Sequence, residues 1–277
     1  MSKIGRLRDC LMRLLEEHRS DVMLPTSGRF LYYELVQRKI ISKDSPPPKP
    51  GRKSCRRPDQ DMNDALIDLR EPGQVPWDWI VDETRFLDDY SGSASIKEGL
   101  LNVLPGIQLD PWNGDIPLIL TESRSLAGVL RGLCIDYCAR IASTNGQVGG
   151  FLHTKIAPIL SPDQRVLYLG DLDLCGGDIE ANTRRVLEQI VGPLRWERLA
   201  LTREQVRQYN LPTIIKHDRR FADGGVHEAV ETEALSQRII VEIVRRRLEE
   251  LLPEPLQSVH EREAEQRQQI ARLLSFH

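Results

Sequence analysis

Apolar positions recur at helical spacing at the start of the chain. Ile4, Leu7, Leu11, Leu14 and Leu15 mark one face of a helix over residues 4–15. A break at Leu24-Pro25-Thr26-Ser27-Gly28 follows, with Thr26 or Ser27 placed to cap a second helix over residues 29–38. Residues 42–58 (SKDSPPPKPGRKSCRRP) are rich in proline, lysine and arginine and read as an exposed loop. A third helical stretch over residues 62–70 leads into GQVPWDWIVDETR (73–85). Three helices, a short extended tail and a basic loop predict a small helix-turn-helix or winged-helix module over residues 1–90.

From Pro117 the pattern changes. IPLILTE (116–122) is a short apolar run ending in an acid, and LAGVLRGLCIDYCARIA (126–142) is helical. GGFLHTKIAPIL (149–160) reads as a further helix, and RVLYLGDLD (165–173) as a second apolar run ending in acids. GGDIEANTRRVLEQIV (176–191) is a helix and RWERLALT (195–202) a strand. This alternation predicts an α/β domain over residues 91–255, with a mostly parallel sheet flanked by helices. Residues 235–252 close it as an amphipathic helix, and residues 256–277 form a charged C-terminal helix beyond Pro253 and Pro255.

At 277 residues the chain suits one large domain or two modest ones. No apolar run approaches the roughly 20 residues that span a bilayer, so no membrane is expected. Charges break the first 18 residues, which excludes a signal peptide. Five cysteines without a CxxC pair point to reduced thiols and a cytoplasmic setting. The balance of 38 basic and 41 acidic residues does not by itself announce a nucleic-acid binder. Basic residues cluster at 49–57 and at Arg219 and Arg220, where solvated loop charge is an equal explanation.

The chemistry concentrates in the acids. Glu122 ends one buried strand, and Asp171 and Asp173 end another; strand C-termini line the crevice of an open parallel sheet. Alternation in Asp171-Leu172-Asp173 puts both aspartates on one side of an extended chain. Three converging carboxylates repel one another unless a cation lies between them, and hard oxygen ligands suit Mg²⁺ or Mn²⁺. A lone acid at a strand end is more often a loop start or helix cap, and Asp178 is read as a cap.

TES (121–123), STNGQ (143–147) and GDLDLCGGDI (170–179) resemble the Toprim signature. Their order and spacing resemble the A subunit of type IIB DNA topoisomerase (topoisomerase VI) and its meiotic double-strand-break relatives. Leu174 stands where that family usually has proline. TSGRFLYYELVQRK (26–39) resembles the segment that carries the family's cleaving tyrosine, with Arg29, Tyr32 and Tyr33 at matching positions. Residues 70–85 resemble compact, stand-alone A-subunit-like proteins of mobile elements.

The resemblance implies a winged-helix (CAP-like) module bearing the nucleophile Tyr33, followed by a Toprim domain holding the metal on Glu122, Asp171 and Asp173. It implies cleavage of double-stranded DNA through a phosphotyrosyl link to the 5′ end. It further implies a homodimer in which the tyrosine of one protomer acts over the metal of the other, and a B-type GHKL ATPase as partner, in a prokaryotic, viral or plasmid setting close to the nucleoid. Glu231, in VETEAL, resembles another acidic position of the family, and helix N-terminal charge is the alternative there.

Helix geometry bears on the tyrosine independently. Leu31, Tyr32, Leu35 and Val36 share one face, expected to be the core. Arg29, Tyr33 and Gln37 share a more polar one, which puts Arg29 where it stabilises a phosphate or the phenolate. A phenol of pKa near ~10 needs that help to attack a phosphodiester. Packing of both tyrosines is the alternative from periodicity alone. Trp77, Trp79 and Arg85 are candidates for DNA contact or for domain-interface packing. Two other functions stay open: a Toprim nuclease that activates water on the same metal, with Tyr33 structural, and a non-catalytic DNA-binding component of a larger assembly.

Overall fold

A computed structural model of the chain describes residues 3–42, 58–81, 93–145, 149–217 and 226–275. Residues 49–57, Arg85, Arg219, Arg220, Gly146 and Gln147 lie outside the described residues.

The leucine stripe of the N-terminus forms α1 (Lys3–Ser20), and the Pro-Thr-Ser-Gly break precedes α2 (Gly28–Gln37). Ser27 caps α2: its hydroxyl accepts from the Phe30 N–H at 3.2 Å. α3 (Pro58–Arg70) completes the module. Leu7, Leu11, Leu14 and Leu15 of α1 pack on Leu31 and Leu35 of α2 and on Met62, Leu66 and Leu69 of α3. Each of these buried leucines contributes about 1.5–3 kcal/mol. The tail returns beside α2 through an isolated parallel bridge between Thr26 and Ile80. Three helices were expected here; the strands of a wing are not among the described residues of this region.

A short helix, α4 (Ile96–Val103), leads to the sheet. The sheet is built from β1 (Leu118–Thr121), β2 (Arg140–Ser143), β3 (Arg165–Leu169) and β4 (Arg195–Ala200), all parallel, in the order β2-β1-β3-β4. Between β1 and β2 runs α5 (Arg124–Asp136). Between β2 and β3 runs α6 (Gly149–Phe151), continued by a π turn (Leu152–Ile156) and a 3-10 turn (Ala157–Ile159). Between β3 and β4 runs α7 (Leu174–Val191). Period-two alternation divides the strand side chains between two faces. Ile119, Leu167 and Leu169 join Leu126, Leu130 and Leu133 of α5 and Ile240 and Val244 of α9 (Gln237–Leu251). Leu118, Leu120, Val166 and Tyr168 join Leu152, Ile156 and Leu187 on the other face. Helices cover both faces, as the alternation of the sequence predicts.

Two additions complete the picture. After β4 come α8 (Arg203–Gln208) and an antiparallel pair, β5 (Ile214–His217) and β6 (Val226–Ala229). Just past β6, Val230 bridges Leu172, so residues 230–234 cross the exit of β3. The C-terminal helix α10 (Leu256–Ser275) is not a free tail. Its Val259 is buried, its Glu263 accepts from the Leu109 N–H at 2.7 Å, and its Arg267 donates to the Ile107 carbonyl at 2.6 Å. Among the described residues, no helix is long and apolar enough to cross a membrane.

α2 joins the two units. Leu31 and Leu35 face the module's own core, while Phe30 and Tyr33 belong to the core of the sheet unit.

Candidate functional site

The register aligns Thr121 with Ser143 and with Leu169, so β1, β2 and β3 end level with one another. Their exits, together with α2, enclose a cleft of about 270 Å³. Glu122 and Ser123 come from the β1–α5 turn, Arg124 and Ser125 from the first turn of α5, Asn145 from beyond β2, Asp171 from beyond β3 and Arg29 from α2. This is the carboxyl edge of a parallel sheet, where such folds bind ligands.

Glu122 and Asp171 meet as the sequence predicts. The Asp171 N–H donates to Glu122 Oε2 at 3.1 Å. Asp171 Oδ1 accepts from the Thr232 N–H at 2.8 Å and the Thr232 hydroxyl at 3.0 Å. Burial pushes the Asp171 carboxyl up to about 7; Glu233 and Glu122 add to the shift, while the Thr232 N–H and Arg29 oppose it.

Asp173 is placed differently. The chain is extended only as far as this residue, because α7 begins at Leu174. Asp173 is the helix cap, its Oδ1 accepting from the Gly176 N–H at 2.6 Å. It lines another cleft, of about 490 Å³, with Leu172, Arg203 and Arg207 among its walls. Alternation predicts both aspartates on one side; Asp171 lines the first cleft, while Asp173, capping α7, lines the second. Asp178, expected as a cap, lies inside α7.

Two glycines make the turn possible. A Cβ on Gly176 would meet the Asp171 carbonyl oxygen at 2.5 Å, and one on Gly170 would meet the Tyr168 ring at 2.6 Å.

The donor set fits a hard divalent cation in part. Glu122 and Asp171 offer carboxylate oxygens in a polar cleft, and Mg²⁺ is commonly held by one or two carboxylates while keeping several waters. Among the described residues, no three His, Cys, Asp or Glu side chains converge closely enough to hold a metal. Asp173 is therefore not gathered with the other two.

The tyrosine face also differs from expectation. Arg29, Tyr33 and Gln37 do share a side of α2, and that side meets residues 231–234, with Tyr33 buried while Arg29 and Gln37 stay open to solvent. The Tyr33 hydroxyl donates to Glu231 Oε2, and Arg29 Nη2 donates to the same oxygen at 2.8 Å. Gln37 Nε2 donates to the Ala234 carbonyl at 2.6 Å. Tyr33 is 3% exposed, whereas Tyr32, expected in the core, is half-buried and stacks edge-on against it. Burial, then the Glu231 contact, holds the Tyr33 phenol far above its ordinary range, with Arg29 opposing. Burial works against the charge of Arg29, but Glu233 and Glu231 more than offset it and keep the guanidinium protonated.

Sequence reasoning missed several supporting residues. Glu233 is fully buried; its Oε1 accepts from Ser125 Oγ at 3.1 Å and lies 3.5 Å from Arg29 Nε. Its Oε2 has no hydrogen-bond partner among the described residues. Arg198 donates to the carbonyls of Gly170 (2.8 Å), Asp171 (2.7 Å) and Leu201 (2.9 Å) and pairs with Glu180, stapling the loop after β3. The only available signal was an arginine in a strand otherwise half apolar. Trp79 packs in the module core, while Trp77 is 58% exposed under the Arg70 guanidinium, 4.0 Å from its ring centre. Compared with family models, curated proteins and solved structures, the chain matches none.

Proposed function

We propose that the chain is a metal-dependent DNA-cleaving enzyme resembling the A subunit of type IIB topoisomerases, an isomerase-class activity, with Tyr33 as nucleophile. The observation that carries this reading is that α2 turns Arg29 and Tyr33 onto residues 231–234, the segment that also holds Asp171 through Thr232. A phenol, a guanidinium and a carboxylate cleft are thereby assembled within one chain.

In this reading Tyr33 attacks a backbone phosphorus and becomes linked to the DNA. Arg29 leaves part of its carboxylate contact to meet the phosphate, as a bidentate donor suited to that anion. Glu122 and Asp171 would hold Mg²⁺ or Mn²⁺, and Asp173 fixes the loop that aims Asp171. When bound, the cation supplies neutralisation of phosphate charge. The protein works as a homodimer, each protomer cutting one strand, with a GHKL-type ATPase as partner for strand passage. In this reading Tyr33 serves the cleft of its own chain, where the family arrangement has the tyrosine act on the partner's site.

The test is incubation of end-labelled double-stranded DNA with the protein and Mg²⁺, followed by denaturation. Labelled protein is expected from the wild type and none from Tyr33→Phe, with DNA binding retained because it rests on basic contacts to phosphates. Adduct from Tyr33→Phe refutes the assignment. One observation favours a second reading: Tyr33 is almost wholly enclosed. As a Toprim nuclease, the protein would cut DNA without adduct and Tyr33→Phe would cut equally well.

A further inference from the structure

We propose that Glu231 is the catalytic base that takes the phenolic proton of Tyr33. The inference rests on the reading of Tyr33 as nucleophile and adds the group that activates it.

The geometry is direct. The Tyr33 hydroxyl already donates to Glu231 Oε2, so the proton to be lost points at a carboxylate before any substrate arrives. Tyr33 is 3% exposed and the Glu231 side chain 19%, so water competes poorly for either group. Glu231 is set by a backbone held on both sides. Val230 is bridged to Leu172, and Thr232 donates twice to Asp171. Base and cleft carboxylate are thus tied together through adjoining residues.

Arg29 couples the base to the substrate. It donates to the same Glu231 oxygen that accepts from Tyr33, and it lines the cleft. While the guanidinium stays on Glu231, it stabilises the carboxylate's charge and weakens it as a base. A substrate phosphate entering the cleft draws Arg29 toward itself, and Glu231 then holds the phenol's proton more strongly. Fully buried Glu233, 3.5 Å from Arg29 Nε, anchors the guanidinium from behind.

The step balances. The Tyr33 proton passes to Glu231 as the Tyr33 Oη–phosphorus bond forms and the phosphorus bond to the leaving sugar oxygen breaks. That oxygen takes a proton from solvent, and Glu231 releases its own to solvent. Nothing is oxidised or reduced.

The test uses the full-length protein, labelled double-stranded DNA and Mg²⁺. Glu231→Gln keeps size and hydrogen-bonding capacity but takes up no proton. Its adduct formation should fall by about 10²–10⁴-fold, with DNA binding and melting temperature near wild type. Glu231→Asp, which keeps a carboxylate, should recover part of the rate. Replacing Tyr33 by 3,5-difluorotyrosine, of similar shape and a more acidic phenol, should recover about tenfold or more in the Glu231→Gln background and far less in the wild type. A merely structural contact predicts no such selective recovery. Glu231→Gln with wild-type adduct formation overturns the base and leaves Tyr33 as nucleophile. A loss that neither Asp nor the fluorinated tyrosine repairs also overturns it. Absence of adduct from the wild type overturns both readings.

Discussion

The two sides of the loop after β3 carry aspartates two residues apart with different fates. Asp171 faces Glu122 and Arg29 in one cleft, held there by Thr232. Asp173 faces another cleft and spends a carboxylate oxygen on the first turn of α7. The difference shows how a local demand overrides a pattern. The first N–H groups of a helix lack intrahelical partners, and the nearest acid satisfies one of them and meets the positive end of the dipole. Strand alternation holds only until that demand begins.

The largest effects expected from this contrast lie on the Asp171 side. Asp171→Asn and Glu122→Gln should weaken Mg²⁺ binding by at least about 10–100-fold, the loss typical of disturbing even an outer partner of a metal. Both should leave the metal-free fold intact, because an amide oxygen at 171 still accepts from Thr232, one at 122 still accepts from the residue 171 N–H, and like-charge repulsion falls. Calorimetric titration reads this directly, and unchanged affinity in both variants would remove the metal from the proposed mechanism. Mixing Tyr33→Phe with Glu122→Gln chains should restore no cleavage where subunits exchange, since Tyr33 and the cleft belong to one chain. Restoration would return the tyrosine to a partner's site.

Next come the supports of the loop. Arg198→Ala strips donors from three carbonyls and leaves Glu180 its Trp196 contact without the guanidinium. A stability loss of about 2–3 kcal/mol is expected, less than for a fully buried pair because both groups retain some exposure. Gly176→Ala should cost about 1–3 kcal/mol by forcing the Asp171 carbonyl aside. Gly177→Ala, with open space around it, should be neutral or gain about 0.5–1 kcal/mol of helix propensity. Thermal or urea unfolding of the pair checks the difference, and equal effects would mean the helix start tolerates a shift.

Much of this was legible in sequence because it is local. The leucine stripe of α1, the cap before α2, and the runs ending in Glu122 and Asp171 each report on neighbours within a few residues. So does the polar face of Arg29, Tyr33 and Gln37. Its contact with residues 231–234, which buries Tyr33, was illegible because that segment is about two hundred residues away: Tyr33 to Glu231 spans 198 positions. Glu233 and Arg198 escaped for the same reason, since an arginine or a glutamate looks alike in sequence whether it meets water or a buried carbonyl. The capping role of Asp173 escaped for a subtler one. Asp-Leu-Asp fits a strand and a helix cap equally, and only the helix start at Leu174 decides between them.

The smallest effects belong to Asp173, and their smallness is what separates its role from that of Asp171. Asn caps a helix nearly as well as Asp, so Asp173→Asn should cost only the charge–dipole share, about 0.3–1 kcal/mol. Asp173→Ala should cost about 1 kcal/mol in total, because the Gly176 N–H loses its acceptor. Mg²⁺ affinity should stay close to wild type in Asp173→Asn, as Glu122 and Asp171 are untouched. Asp173→Ala should show a modest further loss, because a frayed first turn loosens the backbone that aims Asp171. A cap therefore predicts Asn near wild type and Ala worse, in stability and affinity alike. A metal ligand predicts instead that Asn and Ala lose affinity together while Asn keeps stability. If Asp173→Asn weakens Mg²⁺ binding as much as Asp171→Asn does, the first turn of α7 must open when the metal binds, and the loop's two sides become one site.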